Sequence, residues 1–179
     1  SIRISLIYLP PSGTVVTSGQ VIGFQGRSGL SCDPYDPSLE PVKTNNYCQQ
    51  YGGTGPDWYY YSPDKYPTKG SHLHFEYYVA GKKVDASPYL FGDKKTEFKI
   101  MPEVPMYYSR GYHEGGAVDV YSTHGAPIFA VKAGYVSYYC INYPNVPGFT
   151  DPAFGAVIQH IDAAGRLDGS VSQYWHLIR

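Results

Sequence analysis

Long apolar runs and clustered charge are missing from this chain of 179 residues. No apolar run approaches the roughly 20 residues that a membrane-spanning helix needs, so no transmembrane segment is predicted. The N-terminus also lacks the basic and then apolar pattern of a signal peptide. The formal net charge is −1 and the basic residues are dispersed, which argues against nucleic acid or an anionic membrane as a partner.

Cysteine is scarce as well, with three residues in the whole chain. Cys32, Cys48 and Cys140 lack the paired spacing of a structural zinc module. Cys32 and Cys48 flank one loop-like stretch and are candidates for a disulfide, which would point to an oxidising compartment. Sequence alone does not determine that connectivity.

The residues that are abundant predict a mainly β protein. Twenty glycines, fifteen prolines and twenty tyrosines favour many short strands and turns over a helical bundle. We expect a single domain over residues 1–179 with an antiparallel sheet. Strands are predicted at 2–7, 20–23, 72–79, 118–121, 128–131, 134–139, 156–160 and 171–176. Residues 31–69 are interpreted as an inserted surface loop, and residues 92–106 have the composition of a linker.

Three short fragments concentrate side chains that can bind metal or transfer protons. His72 and His74 are two positions apart in a predicted strand, which places both imidazoles on one face. His113 and Asp119 enclose two glycines that permit a tight turn, so a histidine in a loop and an aspartate in a strand can converge. His176 follows two aromatic residues in a third fragment.

Catalytic zinc takes three protein ligands of the histidine and carboxylate type and leaves one position for water. His113, Asp119 and one histidine of the His72–His74 pair would supply that set. The remaining histidine of the pair and His176 would lie near the open side, where one takes a proton from the water and the other stabilises an oxyanion. A single histidine on a strand is usually structural, and His124 and His160, which lack a partner motif, are interpreted as bystanders.

These fragments and the residues around them resemble the motifs of the lysostaphin-type zinc endopeptidases, which cut peptidoglycan cross-bridges or stem peptides. The resemblance covers about two thirds of the chain. Its parts are Tyr112 to Asp119, Gly125 to Ala130, Ala133 to Val136, Gln173 to Leu177, Gly19 to Gly29 and Gly70 to Leu90.

This resemblance implies a peptidase fold with an antiparallel core and long loops around a substrate groove. It implies one zinc ion per chain bound by His113, Asp119 and His74, with His72 and His176 as the catalytic histidines. It further implies a peptidoglycan peptide as substrate and a place in the cell envelope, extracellular or periplasmic, or on a phage particle. A non-catalytic relative that binds peptidoglycan or activates another hydrolase is one alternative, and a zinc D,D-carboxypeptidase is another.

The chain departs from the family pattern in three ways. The interval from His113 to Asp119 is longer than is common in the family, and so is the 31–69 insert, which we expect to form a wall or lid over the groove. The order of the motifs is also permuted, because the His72–His74 half precedes the His113–Asp119 half. A circular permutation, two fragments from a cleavage and a numbering unlike the order in the gene would each explain this order.

Overall fold

The structure of the protein is a computed structural model that describes residues 8–42, 47–50, 58–90, 99–101, 107–113, 115–143 and 146–178, with only the backbone described for 107–113 and Gln50. The predicted strand at 2–7 lies outside these residues. Within them the strands are β1 (Val15–Val16), β2 (Val21–Phe24), β3 (Asp33–Pro34), β4 (Trp58–Tyr59), β5 (Leu73–Val79), β6 (Lys82–Val84), β7 (Tyr107–His113), β8 (Ala117–Tyr121), β9 (Pro127–Phe129), β10 (Gly134–Ile141), β11 (Ala153–Ile161) and β12 (Leu167–Trp175). The helices are α1 (Tyr47–Gln50) and α2 (Ser87–Leu90). Neither of these helices has the length and apolar character that crossing a membrane requires, and no other helix of the described ranges does.

The main sheet has the strand order β1-β10-β11-β12-β5-β8-β7, and every neighbouring pair is antiparallel. The prediction of a mainly β, antiparallel protein is therefore confirmed. Strand β5 pairs with β12 along one edge and divides its other edge between two partners. Its first residues, Leu73–Phe75, pair with β8, and its last, Tyr77–Val79, pair with β6.

The alternation of β5 separates a core face from a site face. Leu73, Phe75 and Tyr77 are buried in the main hydrophobic cluster together with Val118 and Val120 of β8. The residues between them, His74, Glu76 and Tyr78, therefore project to the opposite side of the sheet. Burial of the core face holds the register of β5, and the register in turn determines where the polar side chains lie.

The position of His113 differs from the prediction. The sequence indicated a loop, but the backbone of His113 ends strand β7 and lies opposite Ala117 of β8. The turn that joins these strands contains Gly115 and Gly116, which both have positive φ, at 73° and 136°. Two glycines in this conformation permit a tight turn, so the backbone of His113 lies in the strand that pairs with β8 rather than in an irregular loop.

The 31–69 insert contains more order than its sequence pattern suggested. Strands β3 and β4 pair within it, and the candidate disulfide between Cys32 and Cys48 is present. Tyr60 is buried with these cysteines in a second small hydrophobic cluster. The side chain of Arg27, which is 5% exposed, donates to the carbonyl oxygens of Tyr61 and Tyr66 and so joins the insert to the rest of the protein.

The predicted linker at 92–106 lies largely outside the described residues. Within it, Ile100 and Met101 are buried in the main cluster, and the amide of Phe129 donates to the carbonyl of Ile100. This short piece is therefore part of the core, since two apolar side chains that pack against β9 are removed from water.

Candidate metal and catalytic site

An aspartate and a histidine meet where strands β5 and β8 of the main sheet pair. His74 of β5 lies directly opposite Asp119 of β8 in the strand register. Nδ1 of His74 is 2.9 Å from Oδ1 of Asp119, and the aspartate is 7% exposed. Cross-strand neighbours on one face of a sheet approach this closely, so the contact follows from the pairing of β5 with β8.

The other ring nitrogen of His74 faces a second carboxylate. Nε2 of His74 is 3.2 Å from Oε1 of Glu76, which also accepts from Nζ of Lys83 at 2.6 Å. The hydroxyl of Tyr78 donates to Oε2 of Glu76 at 2.6 Å. Burial alone raises the pKa of Glu76, but the hydrogen bonds from His74, Lys83 and Tyr78 lower that pKa to about 2. Glu76 is therefore ionised at neutral pH and is placed to accept a proton carried on Nε2 of His74.

This arrangement determines what can lie between His74 and Asp119. When Nε2 carries the proton of a neutral imidazole, Nδ1 presents a lone pair to a carboxylate oxygen 2.9 Å away. Two such acceptors attract each other only through a proton or a metal cation. An imidazole nitrogen and an aspartate oxygen are ordinary zinc ligands, so the donor chemistry of this pair fits zinc.

His72 contributes an unprotonated nitrogen on the same side. It lies directly before β5, and its Nδ1 is 2.9 Å from the carbonyl oxygen of Gly70. Nδ1 therefore carries the proton, and Nε2, which is 3.8 Å from Oδ1 of Asp119, carries the lone pair. Burial lowers the pKa of His72, although the nearby Asp119 opposes this shift, so the ring is neutral at pH 7.

His176 is held beside His72 by an unusual backbone conformation. It follows β12 with a φ of 64°, which residues other than glycine rarely adopt. Its Nδ1 donates to the carbonyl of Ser28 at 2.7 Å, and its ring centroid lies 4.5 Å from that of His72. Burial, with smaller contributions from His72 and His74, lowers the pKa of His176 to about 3. The ring is neutral, with an unprotonated Nε2.

A cleft of about 180 Å³ opens next to these side chains. His72 and Asp119 line one part of it, and Tyr121 lies at the end of β8. Cys32, Asp33, Pro34 and Trp58 of the 31–69 insert line another part. The insert therefore borders the candidate site, and its role as a wall or lid over a substrate groove stays a prediction.

His113 cannot be assigned a role in the same way. Its backbone lies opposite Ala117, two residues from Asp119 along β8, but its side chain is outside the described part of the structure. Among the side chains that are described, no group of three or more histidines, cysteines, aspartates or glutamates is arranged to hold a metal ion. The structure thus brings together His72, His74, Asp119 and His176, and the third ligand stays a prediction.

The two histidines interpreted as bystanders have other contacts, and that of His124 is to Ser71, which lines the cleft next to His72. Nδ1 of His124 is 3.0 Å from the hydroxyl oxygen of Ser71. His160 is fully buried, and its Nδ1 donates to the carbonyl of Ala133 at 3.2 Å. Burial lowers the pKa of His160 to about 4.

Sequence reasoning missed the residues that orient the imidazoles. Glu76 could have been found, because it lies two positions after His74 and so shares its face of a strand. The carbonyl groups of Gly70 and Ser28 carried no such signal, since any residue has a carbonyl group and its use depends on the folded backbone.

Comparison with known proteins yielded no match to a family model, to a curated protein or to a solved structure.

Proposed function

We propose that this chain is a zinc-dependent endopeptidase that hydrolyses peptide bonds of bacterial peptidoglycan, in a cross-bridge or in a stem peptide, and that it has the lysostaphin-type fold. The observation that carries the proposal is the meeting of His72, His74, Asp119 and His176 around one point. His74 and Asp119 offer two ligand atoms 2.9 Å apart, and the two other rings lie beside them as neutral bases.

His74 Nδ1, an oxygen of Asp119 and an imidazole nitrogen of His113 would hold the metal. When bound, zinc lowers the pKa of a water molecule to about 7 and polarises the carbonyl group that is attacked. The low exposure of Asp119 reduces competition from bulk water for its oxygen atoms.

His72 and His176 are suited to proton transfer. Because each donates its Nδ1 proton to a backbone carbonyl, each has Nε2 available as an acceptor in the neutral state. An Nε2 atom can donate a hydrogen bond to an oxyanion only after it has taken a proton. One imidazole therefore accepts the proton of the attacking water and, once protonated, can stabilise the oxyanion or pass the proton to the leaving amine.

The cleft and the disulfide support the nature of the substrate and the compartment. Trp58 of the insert and Tyr121 of β8 border the cleft, and aromatic side chains of this kind pack on apolar and sugar surfaces. The Cys32–Cys48 disulfide is typical of proteins in oxidising surroundings, which supports an extracellular or periplasmic location or a phage particle.

The function is tested by incubating the zinc-loaded protein with purified peptidoglycan and analysing the soluble fragments by mass spectrometry. We expect fragments with one new amino terminus and one new carboxyl terminus inside a cross-bridge or stem peptide. Release of single terminal residues would indicate a carboxypeptidase instead, and release of no fragment by a zinc-containing chain would contradict catalysis.

Four variants separate metal binding from proton transfer. His74→Ala and Asp119→Ala should each abolish zinc binding, measured by metal analysis after gel filtration, because a ligand is lost. His176→Ala should keep about one zinc per chain while peptidoglycan cleavage falls by about 10²-fold or more. His124→Gln is the matched control and should change neither quantity. Full activity of His176→Ala would remove this histidine from the mechanism.

A further inference from the structure

Glu76 occupies a special place in the sheet that the proposed function does not use. It lies on β5 between Phe75, the last residue paired with β8, and Tyr77, the first residue paired with β6. Its side chain therefore lies where the edge of β5 changes partner, with His74 on one side and Lys83 of β6 on the other. It is 7% exposed, which is low for a glutamate, and such burial requires compensating donors.

Three donors hold this carboxylate in one orientation. Oε1 accepts from Lys83 at 2.6 Å and from His74 at 3.2 Å, and Oε2 accepts from Tyr78 at 2.6 Å. With both oxygen atoms engaged, the carboxylate cannot rotate without losing a charge-assisted hydrogen bond. The carboxylate is thus placed to accept a proton carried on Nε2 of His74, while Asp119 faces Nδ1.

The same lysine contacts the hairpin that leads to Asp119. A Cβ atom built on Gly116 would lie 3.0 Å from Cγ of Lys83 and 2.9 Å from the carbonyl oxygen of Val84. The hairpin between β7 and β8 therefore packs directly on the residue that holds Glu76. The ion pair between Glu76 and Lys83 thus lies beside His74 and against the turn between β7 and β8.

We infer that Glu76 is a positioning residue for the metal, which through Lys83 and Tyr78 fixes the tautomer and orientation of His74 so that Nδ1 is the ligand atom. This inference rests on the zinc site proposed above. Carboxylates that accept the second ring proton of a metal-binding histidine raise the basicity of that ligand, and their loss weakens metal affinity by roughly 10- to 100-fold.

The experiment measures the zinc dissociation constant of the full chain by competition with a chelator, for the wild type, Glu76→Gln and Glu76→Ala. We expect zinc affinity to fall roughly 10- to 100-fold in Glu76→Ala and by less in Glu76→Gln, which keeps the shape and one acceptor oxygen. In zinc-loaded wild type, ¹⁵N NMR of the imidazole should show the proton of His74 on Nε2.

The control variant is Asp168→Asn. It removes an ion pair of equal length, Lys132 to Asp168 at 2.6 Å, near the opposite end of β12 from His74, and should leave zinc affinity unchanged. Thermal unfolding of each variant shows whether the fold is kept. If Glu76→Ala is unfolded, zinc affinity is compared between the wild type and Glu76→Gln alone.

Two results would overturn the inference alone. One is zinc affinity within twofold of the wild type in folded Glu76 variants, and the other is a His74 proton on Nδ1 in the zinc-loaded wild type. A wild-type chain that binds no zinc would instead overturn the metal site, and this inference with it.

Discussion

At the scale of single residues, the candidate site depends on which nitrogen of each imidazole carries the proton. Gly70 and Ser28 each accept an Nδ1 proton through a backbone carbonyl, and we infer that Glu76 accepts an Nε2 proton from His74. With this inferred assignment, two of the three imidazoles present Nε2 and one presents Nδ1. The hydrogen-bond partners of each ring thus select which nitrogen it can offer.

A buried histidine away from the site makes the stability of the fold depend on pH. The pKa of His160 is lowered by burial from 6.5 to about 4, so the folded state binds fewer protons than the unfolded state between these values. The contribution of His160 to the free energy of unfolding is therefore fully present well above pH 6.5 and is lost as the pH decreases towards 4. At about 1.4 kcal/mol for each unit of pKa, the loss is about 3 kcal/mol.

This dependence is measured by urea unfolding at pH 7, 5.5 and 4 for the wild type and for His160→Phe. We expect the free energy of unfolding to fall by about 3 kcal/mol more in the wild type than in the variant, which has no titratable ring at this position. Identical pH profiles for the two proteins would show that His160 does not carry the effect.

The residues of the site could be predicted only in part from the sequence. The spacing of His72 and His74 placed both rings near one carboxylate, and Asp119 was correctly expected in a strand. The conformation of His176 and its hydrogen bond to Ser28, 148 residues away, could not be predicted. Such contacts depend on the complete backbone path and leave no periodic signal in the chain.

At the scale of structural elements, the hairpin between β7 and β8 determines where Asp119 lies. Strand β6 lies against one side of this turn, because a Cβ atom added to Gly116 would approach the carbonyl oxygen of Val84 too closely. A side chain at Gly116 would clash with that oxygen atom. The residue would also have to adopt a φ of 136°, which residues other than glycine avoid.

Substitutions at the two glycines of this turn should therefore differ. Gly116→Ala should lower the free energy of unfolding by about 1–3 kcal/mol and weaken zinc binding, because the hairpin must shift away from Lys83. Gly115→Asn should cost about 1 kcal/mol or less, since nothing lies within 4 Å of its added Cβ and asparagine tolerates a φ of 73°. Chemical denaturation and metal titration measure both effects, and equal effects of the two substitutions would contradict the role of the contact with β6.

The elements with clear alternation were predictable, and those defined by distant partners were not. The strands expected at 134–139 and 156–160 are observed as the longer β10 and β11. Strand β7 was missed because Ser109, Arg110 and Gly111 interrupt any apolar face. The burial of Ile100 also has no local cause, because it depends on packing against strands that lie elsewhere in the sequence.

At the scale of the whole molecule, the chain consists of two halves that share one sheet. Strand β5 of the first half lies between β12 and β8 of the second, and β1 and β2 pair with β10 and β9. His72 and His74 come from the first half, and Asp119 and His176 from the second. The permuted order of the motifs therefore does not prevent their side chains from meeting.

A cut between the halves should leave them associated. We expect a chain with a protease site introduced at residues 92–98 to elute as one species from a native sizing column after cleavage, because four strand pairs still join the pieces. The pieces should separate in denaturant without reducing agent, since Cys32 and Cys48 both belong to the first half. Separation under native conditions would show that the covalent connection is required.

The position of β5 between strands that are distant in the sequence also has a consequence for folding. Among the described strands that pair with β5, only β6 lies close to it in the sequence. Strand β8 follows about 45 residues later, and β12 ends only at Trp175. Closing such long loops before the contacts form slows folding, and the open edges of β5 can meanwhile pair with other chains. The pairing of β5 on both edges therefore cannot be completed before β12 is available, and until then its open edges are the places where other chains can compete with folding.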